Sequence, residues 1–216
     1  MLKGMCAAAV LLAIVGCGGA TKSSTVVGEG GGRFPDRTFT EWVSYADQLS
    51  VVLVVAEAEE APAPADVARG EGYISRTVTL RVEQTLWRRA GAPAVTGEIP
   101  VVTSGWVLQE GERRPFAIGG GPRLEVGRRY VAPLVRAARD GVAWTPLSVE
   151  STLPLGIAGI TTEGVLGAPS SLAKGLEGSS PSDLAAILRR TRPDPVAARH
   201  FDLPPDARVK ASFGAG

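Results

Sequence analysis

Few residues of this chain could perform covalent chemistry on a substrate. Its one histidine, His200, falls in a proline-rich stretch after the last strongly patterned helix. A nucleophilic triad needs a histidine poised beside a hydroxyl or thiol, so a solvated or locally packed His200 is the simpler reading. One histidine also cannot complete a zinc site, which takes several Cys or His ligands. The densest carboxylates are Glu57, Glu59 and Glu60, placed before the run Ala61-Pro62-Ala63-Pro64. Paired acid–base work requires carboxylates that converge across a cleft, and at a strand end these three read as solvated. The run Gly28-Glu29-Gly30-Gly31-Gly32 lacks the lysine and the strand-before-helix setting of a phosphate loop. Trp87, Trp106 and Trp144 lie among arginines, and such surfaces can stack single-stranded bases; at strand positions they serve more simply as core. No cofactor and no metal is called for by any of these groups.

Charge narrows the partners. Lys and Arg number 23 against 22 Asp and Glu, so the chain has no global basic field of the kind that draws nucleic acid. The arginine pairs 88–89, 113–114, 128–129 and 189–190 fall near element ends and read as solvated loop or strand ends.

The elements that must position any site follow from periodicity. Thr38-Phe39-Thr40-Glu41 has capping-box spacing, and Phe39, Trp42, Val43 and Ala46 recur at helical intervals, predicting a short helix. From residue 48 to 56 the chain is β-branched and apolar on both faces, as in a strand buried on both sides. Ala61 to Asp66 reads as a loop. From Ile74 to Trp87, Val78, Leu80 and Val82 alternate with Thr77, Thr79, Arg81 and Glu83, predicting a long strand with one wet face. A third strand is expected from about Glu98 to Leu108, then a long polar link over 109–127. Arg129 to Arg136 predicts a fourth strand, with Pro133 favouring an edge or bulge, and Asp140-Gly141 a hairpin turn into a fifth through Trp144 and Leu147. Glycine then recurs, with at most a short strand near 160–166 and a helical turn near 170–176. Ser180-Pro181-Ser182-Asp183 starts a helix whose apolar face is Leu184, Ile187 and Leu188 and which Pro193 stops. Little fixed structure is expected beyond it.

The first residues carry a different message. Lys3 precedes an uncharged, mostly apolar run from Met5 to Val15, too short to span a bilayer, for which about 20 residues are needed, but suited to a secretory signal. It ends in Ile14-Val15-Gly16-Cys17, which resembles the lipobox of bacterial lipoproteins. That resemblance implies a diacylglycerol thioether on Cys17, cleavage before it, and anchoring to the outer face of the cell membrane. Cys6 would be discarded with the signal, leaving no pair for a disulfide, so the fold must hold by its core alone. Residues 18 to about 36, rich in Gly and Ser, read as a flexible tether.

A second resemblance lies in the β region. Five strands with a long link between the third and fourth, and the phrases Ala46-Asp47-Gln48-Leu49-Ser50-Val51, Thr77-Val78-Thr79-Leu80-Arg81-Val82 and Val126-Gly127-Arg128-Arg129-Tyr130-Val131, resemble the netrin-like and metalloproteinase-inhibitor branch of OB-type barrels. The resemblance covers about residues 46–148 and lacks the amino-terminal cysteines of that branch, so no inhibitory residue carries over.

The chain is therefore expected to be mainly β: a five-stranded OB-like barrel, or alternatively a β-sandwich, with a short helix before it and a C-terminal helix. Its divisions are a signal over 1–16, a tether over 17–37, a globular domain over 38–192 and a poorly ordered tail over 193–216. The expected role is a non-catalytic envelope lipoprotein that binds a protein or glycan. A carrier of small apolar ligands is the alternative, and a carboxylate hydrolase the least favoured.

Overall fold

The computed structural model describes residues 25–30, 32–139 and 142–214. The signal, Cys17, the first part of the tether and the Asp140-Gly141 turn lie outside the described residues. The remainder is mainly β, with nine strands and six short helices.

Helix α1 (Phe39–Tyr45) starts as its spacing predicts: the Thr38 hydroxyl accepts from the Glu41 amide, and the Glu41 carboxylate accepts from the Thr38 amide. It delivers the chain into β2 (Gln48–Glu59), which is followed by α2 (Pro64–Arg69) and the 17-residue β3 (Gly72–Arg88). Strands β4 (Glu98–Gln109) and β5 (Glu112–Ile118) form a hairpin, and β6 (Arg129–Arg139) and β7 (Val142–Pro146) a second. A short β8 (Leu153–Gly156) and β9 (Gly159–Ile160) follow, then α3 (Ser171–Gly175) and α4 (Pro181–Arg190). The order across the sheet is β1-β5-β4-β3-β2-β6-β8-β9, with β7 also paired to β6; β1 is Val26–Gly28.

This is one open sheet, neither a closed five-stranded barrel nor two stacked sheets. Strands β4 and β7 lie against each other, but no ladder joins them among the described residues. Closure fails there because β5 covers only residues 106–109 of β4, and β7 pairs solely with β6. Pro133 shows how one strand serves two partners. On the side of β6 away from β2, β8 covers Arg129–Val131 and β7 begins at Leu134. The proline, which has no amide to donate, sits at the changeover and accepts from the Leu147 amide at 2.7 Å.

Two apolar clusters lie on the two faces of the sheet. Leu49, Val51, Val131 and Val135 pack with Trp42, Leu184 and Leu188 under the helices. Val52, Val54, Tyr130, Ala132 and Leu134 pack with Val78, Leu80, Val101 and Trp144 inside the curl. Alternation along β2 and β6 thus feeds both clusters, as expected of strands apolar on both faces.

Three expectations need correction. The link over 109–127 contains β5, whose tight turn at Glu110-Gly111 carries positive φ at both residues. The tether is not free throughout: Val26, Val27 and Gly28 form β1, parallel to Phe116, Ala117 and Ile118 of β5. The tail folds into α5 (Pro195–Ala198) and α6 (Pro205–Phe213). Asp194 caps α5 by accepting from the Val196 and Ala197 amides, and Arg208 of α6 is almost completely buried. Asp194-Pro195 is the same kind of helix start as Ser180-Pro181 and was overlooked in the sequence, whereas α6 has no side-chain cap and gains its stability from docking.

Candidate functional site

The seam between β4 and β7 opens into a cleft of about 220 Å³. Val101, Val102 and Thr103 of β4 form one wall, Thr145 to Val149 the other, and Leu124 and Pro122 contribute apolar floor. The end of the N-terminal segment, Gly32-Arg33-Phe34, closes one side. Phe34 is buried in the helix-side cluster, which fixes that segment in place. Val102 is 50% exposed at the mouth. On the side of β4 facing the cleft, residues 98–105 join no ladder among the described residues. The cleft therefore combines apolar walls with a strand edge whose outward backbone groups point away from β3.

A polar corner closes the other side. The Ser148 hydroxyl donates to the Asp36 carboxylate and accepts from the Ser151 amide at 2.9 Å. The Ser151 hydroxyl accepts from the Ser148 amide at 3.1 Å, and the Thr152 hydroxyl donates to the Ser148 carbonyl at 2.9 Å. Burial raises the Asp36 carboxyl above its ordinary 3.8, although the Ser148 hydrogen bond works against that rise. The folded chain thus holds this proton more tightly than the unfolded chain. The contribution to stability is fully present below 3.8 and is lost as pH rises through the higher folded value. Asp36→Asn is expected to flatten that part of the curve, which urea denaturation between about pH 3 and pH 7 would detect. An unchanged pH profile in the variant would contradict the assignment.

The residues singled out by chemical type are not brought together. Glu57 pairs with Arg76, Glu59 with Arg113, and Glu60 accepts from the Ser75 hydroxyl, so each carboxylate is engaged separately and no two share a proton. His200 is half-buried in the turn after α5, its amide donating to the Ala197 carbonyl at 3.0 Å. Among the described residues no group of three or more His, Cys, Asp or Glu is placed to hold a metal ion. Trp144 packs in the inner cluster and Trp87 against the outer one. Trp106 is different: it lies half-buried on β4 with the Arg113 guanidinium 3.8 Å and that of Arg123 5.1 Å from its ring centre.

Sequence reasoning missed the arginines that hold this region. Arg76 is 1% exposed and donates to the Ser104 carbonyl at 2.9 Å and the Leu124 carbonyl at 2.5 Å, besides pairing with Glu57. Arg123 donates to the carbonyls of Gly105 at 2.6 Å and Phe116 at 2.8 Å, just where β4 and β5 part. Gly105 is required beside them: a Cβ there would stand 2.3 Å from the Ile74 carbonyl oxygen at the bulge in the β3–β4 ladder. Arg76 has the parity of Ile74, Val78 and Leu80, so the alternation along β3 put it on the dry face; only its charge argued against burial. Arg89 likewise departs from the reading of a solvated pair, being 7% exposed and paired with Asp47 at 2.5 Å.

No protein-family model matches the chain, and searches of curated proteins and of solved structures likewise return no match.

Proposed function

We propose that this chain is an exported lipoprotein, anchored to the outer face of the cell membrane by diacylglycerol on Cys17, whose β domain binds another envelope protein without catalysing a reaction. The lipobox-like Ile14-Val15-Gly16-Cys17 supports the anchor. The strand order β4-β3-β2-β6-β7, with β4 and β7 side by side, supports reading the domain as an OB-type barrel left open at one seam.

The cleft at that seam is the observation that carries the binding role. An extended segment can pair with an open strand edge while its alternate side chains enter apolar pockets, and the β4 edge over Val101, Val102 and Thr103 offers both. A glycan is less well served, because stacking on Trp106 would compete with the guanidinium groups of Arg113 and Arg123. A small-molecule carrier is also less well served: about 220 Å³ is below the roughly 300–1,000 Å³ of typical small-ligand sites.

The test uses the mature lipidated protein in intact envelopes, with a photo-crosslinking side chain at position 102 or, as control, at position 90. A discrete protein adduct from 102 alone is the expected result. Adducts from both sites, or none from 102, would overturn the binding role. In the same preparation Cys17→Ala is expected to leave the membrane fraction; retention of that variant would remove the anchor.

A further inference from the structure

We propose that one end of the sheet rests directly on the bilayer, with the Gly156-Ile157-Ala158-Gly159 turn dipping into the lipid interface. This rests on the lipid anchor at Cys17. Only eight residues, 18–25, separate that cysteine from Val26. Because Val26 is fixed to Phe116 of β5, even a fully extended connection reaches at most about 30 Å. The tether therefore keeps the domain within about 30 Å of the bilayer, and it brings the end where Thr25 enters nearest to the lipid.

Strand direction identifies that end. Thr25 enters where β1 and β6 begin and where β8 finishes, since β1 runs parallel to β5 and β8 antiparallel to β6. Thr25 shares a groove with Arg128, Pro154, Glu163 and Gly164. The pair Arg129–Leu155 sets the register there and brings the Val126-Gly127-Arg128 turn beside the Gly156–Gly159 turn.

Exposed apolar side chains gather at the same end. Seven large ones stand out from the surface among the described residues: Val27, Val67, Tyr73, Val102, Val126, Ile157 and Phe213. Val102 lines the cleft and Phe213 belongs to α6. The other five lie on β1, on α2, at the start of β3 and on the two neighbouring turns, all at the end where Thr25 enters. Ile157 is completely exposed at the tip of a tight turn, a position where polar residues and glycine are usual. Isolated exposed apolar residues need no explanation, but a concentration on one surface does.

The contact is apolar rather than electrostatic. Glu59, Glu60, Asp66, Glu71, Glu110, Glu125 and Glu163 share this end with Arg69, Arg113 and Arg128, so an anionic surface gains no net attraction. Tethering supplies the missing affinity by holding the turns at high local concentration beside the lipid, where a few apolar side chains and Tyr73, with its polar tip, are sufficient.

The chemistry of the chain makes the test clean. With Cys6 removed and the Cys17 thiol alkylated, an introduced cysteine is the one reactive thiol of the mature protein. Ile157→Cys and, at the opposite end, Ala90→Cys would each be labelled with an environment-sensitive fluorophore on the native lipidated protein in phosphatidylcholine vesicles. The label at 157 is expected to shift to the blue and to be quenched by acyl-chain-labelled lipid, independently of salt, while that at 90 stays water-like. Water-like emission at both sites, on protein whose intact mass carries the diacylglycerol, would overturn docking and leave the anchor standing. An intact mass lacking diacylglycerol would instead remove the anchor on which the proposal rests.

Discussion

The Asp47→Ala protein is expected to be less stable by about 3–5 kcal/mol, the usual cost of removing one partner from a buried ion pair. For a domain of this size that corresponds to a fall in Tm of roughly 6–20 °C, readable by thermal or urea denaturation. Asp47 is 2% exposed and lies between two arginines that are themselves buried, Arg89 at 2.5 Å and Arg208 at 3.7 Å. Its second oxygen accepts from the Arg136 amide at 2.9 Å. Phe201 adds an aromatic face, 4.6 Å from the Arg89 guanidinium and 5.4 Å from that of Arg208. The cluster already carries one more positive than negative charge. Burial, and next the neighbouring Arg89, lower the Arg208 guanidinium from its ordinary range, and the Nε groups of both arginines find no acceptor. Removing the carboxylate would leave two desolvated cations facing each other. Replacing all three charged residues by apolar ones of similar volume is expected to cost far less than the single change. A loss below about 1 kcal/mol in Asp47→Ala would show that water enters the cluster and solvates the arginines.

Trp42→Ala is expected to cost about 3–5 kcal/mol, as for other large-to-small changes at fully buried aromatics. Trp42 has no exposed surface and packs edge-on against Phe39 at 6.0 Å. Its indole donates to the Asp36 carbonyl at 2.7 Å, which ties α1 to the polar corner of the cleft. Trp42→Phe separates the two contributions. It keeps most of the packing and leaves the Asp36 carbonyl unpaired, a loss of about 1–3 kcal/mol. If denaturation midpoints showed the two variants equally unstable, the hydrogen bond rather than the volume would be the important contact.

The parts of the fold that could be read from sequence are those set by local rules. The capping box at Thr38 and Glu41, the alternation along β3 and the Ser180-Pro181 helix start each depend on residues a few positions apart, and each stands in the structure. The parts that could not be read depend on distant partners. Strand β5 has only seven residues and interrupts its own pattern with Arg113, Arg114 and Pro115; it exists because β4 offers it a ladder. β1 is three residues long and exists because β5 offers it an edge. Helix α6 docks through contacts with distant residues: Arg208 on the Ser44 carbonyl, Asp206 on Arg33, and Phe213 stacked on Tyr45. The cleft was invisible for the same reason: its walls come from residues 32–34, 101–103 and 145–149, which nothing but the folded topology brings together. Glu57, Glu59 and Glu60 read as solvated, and their partners Arg76, Arg113 and Ser75, from other strands, were equally out of view.

The burial of Arg208 also bears on the order in which the molecule can assemble. This residue donates to the Ser44 carbonyl at 3.0 Å across 164 positions of chain, and Arg33 pairs with Asp206 across 173. The Ser44 and Tyr45 carbonyls at the end of α1 thus lack this buried donor until α6 has been made. These contacts between the two ends of the fold can form only when nearly the whole chain is present, so the fold cannot be closed segment by segment.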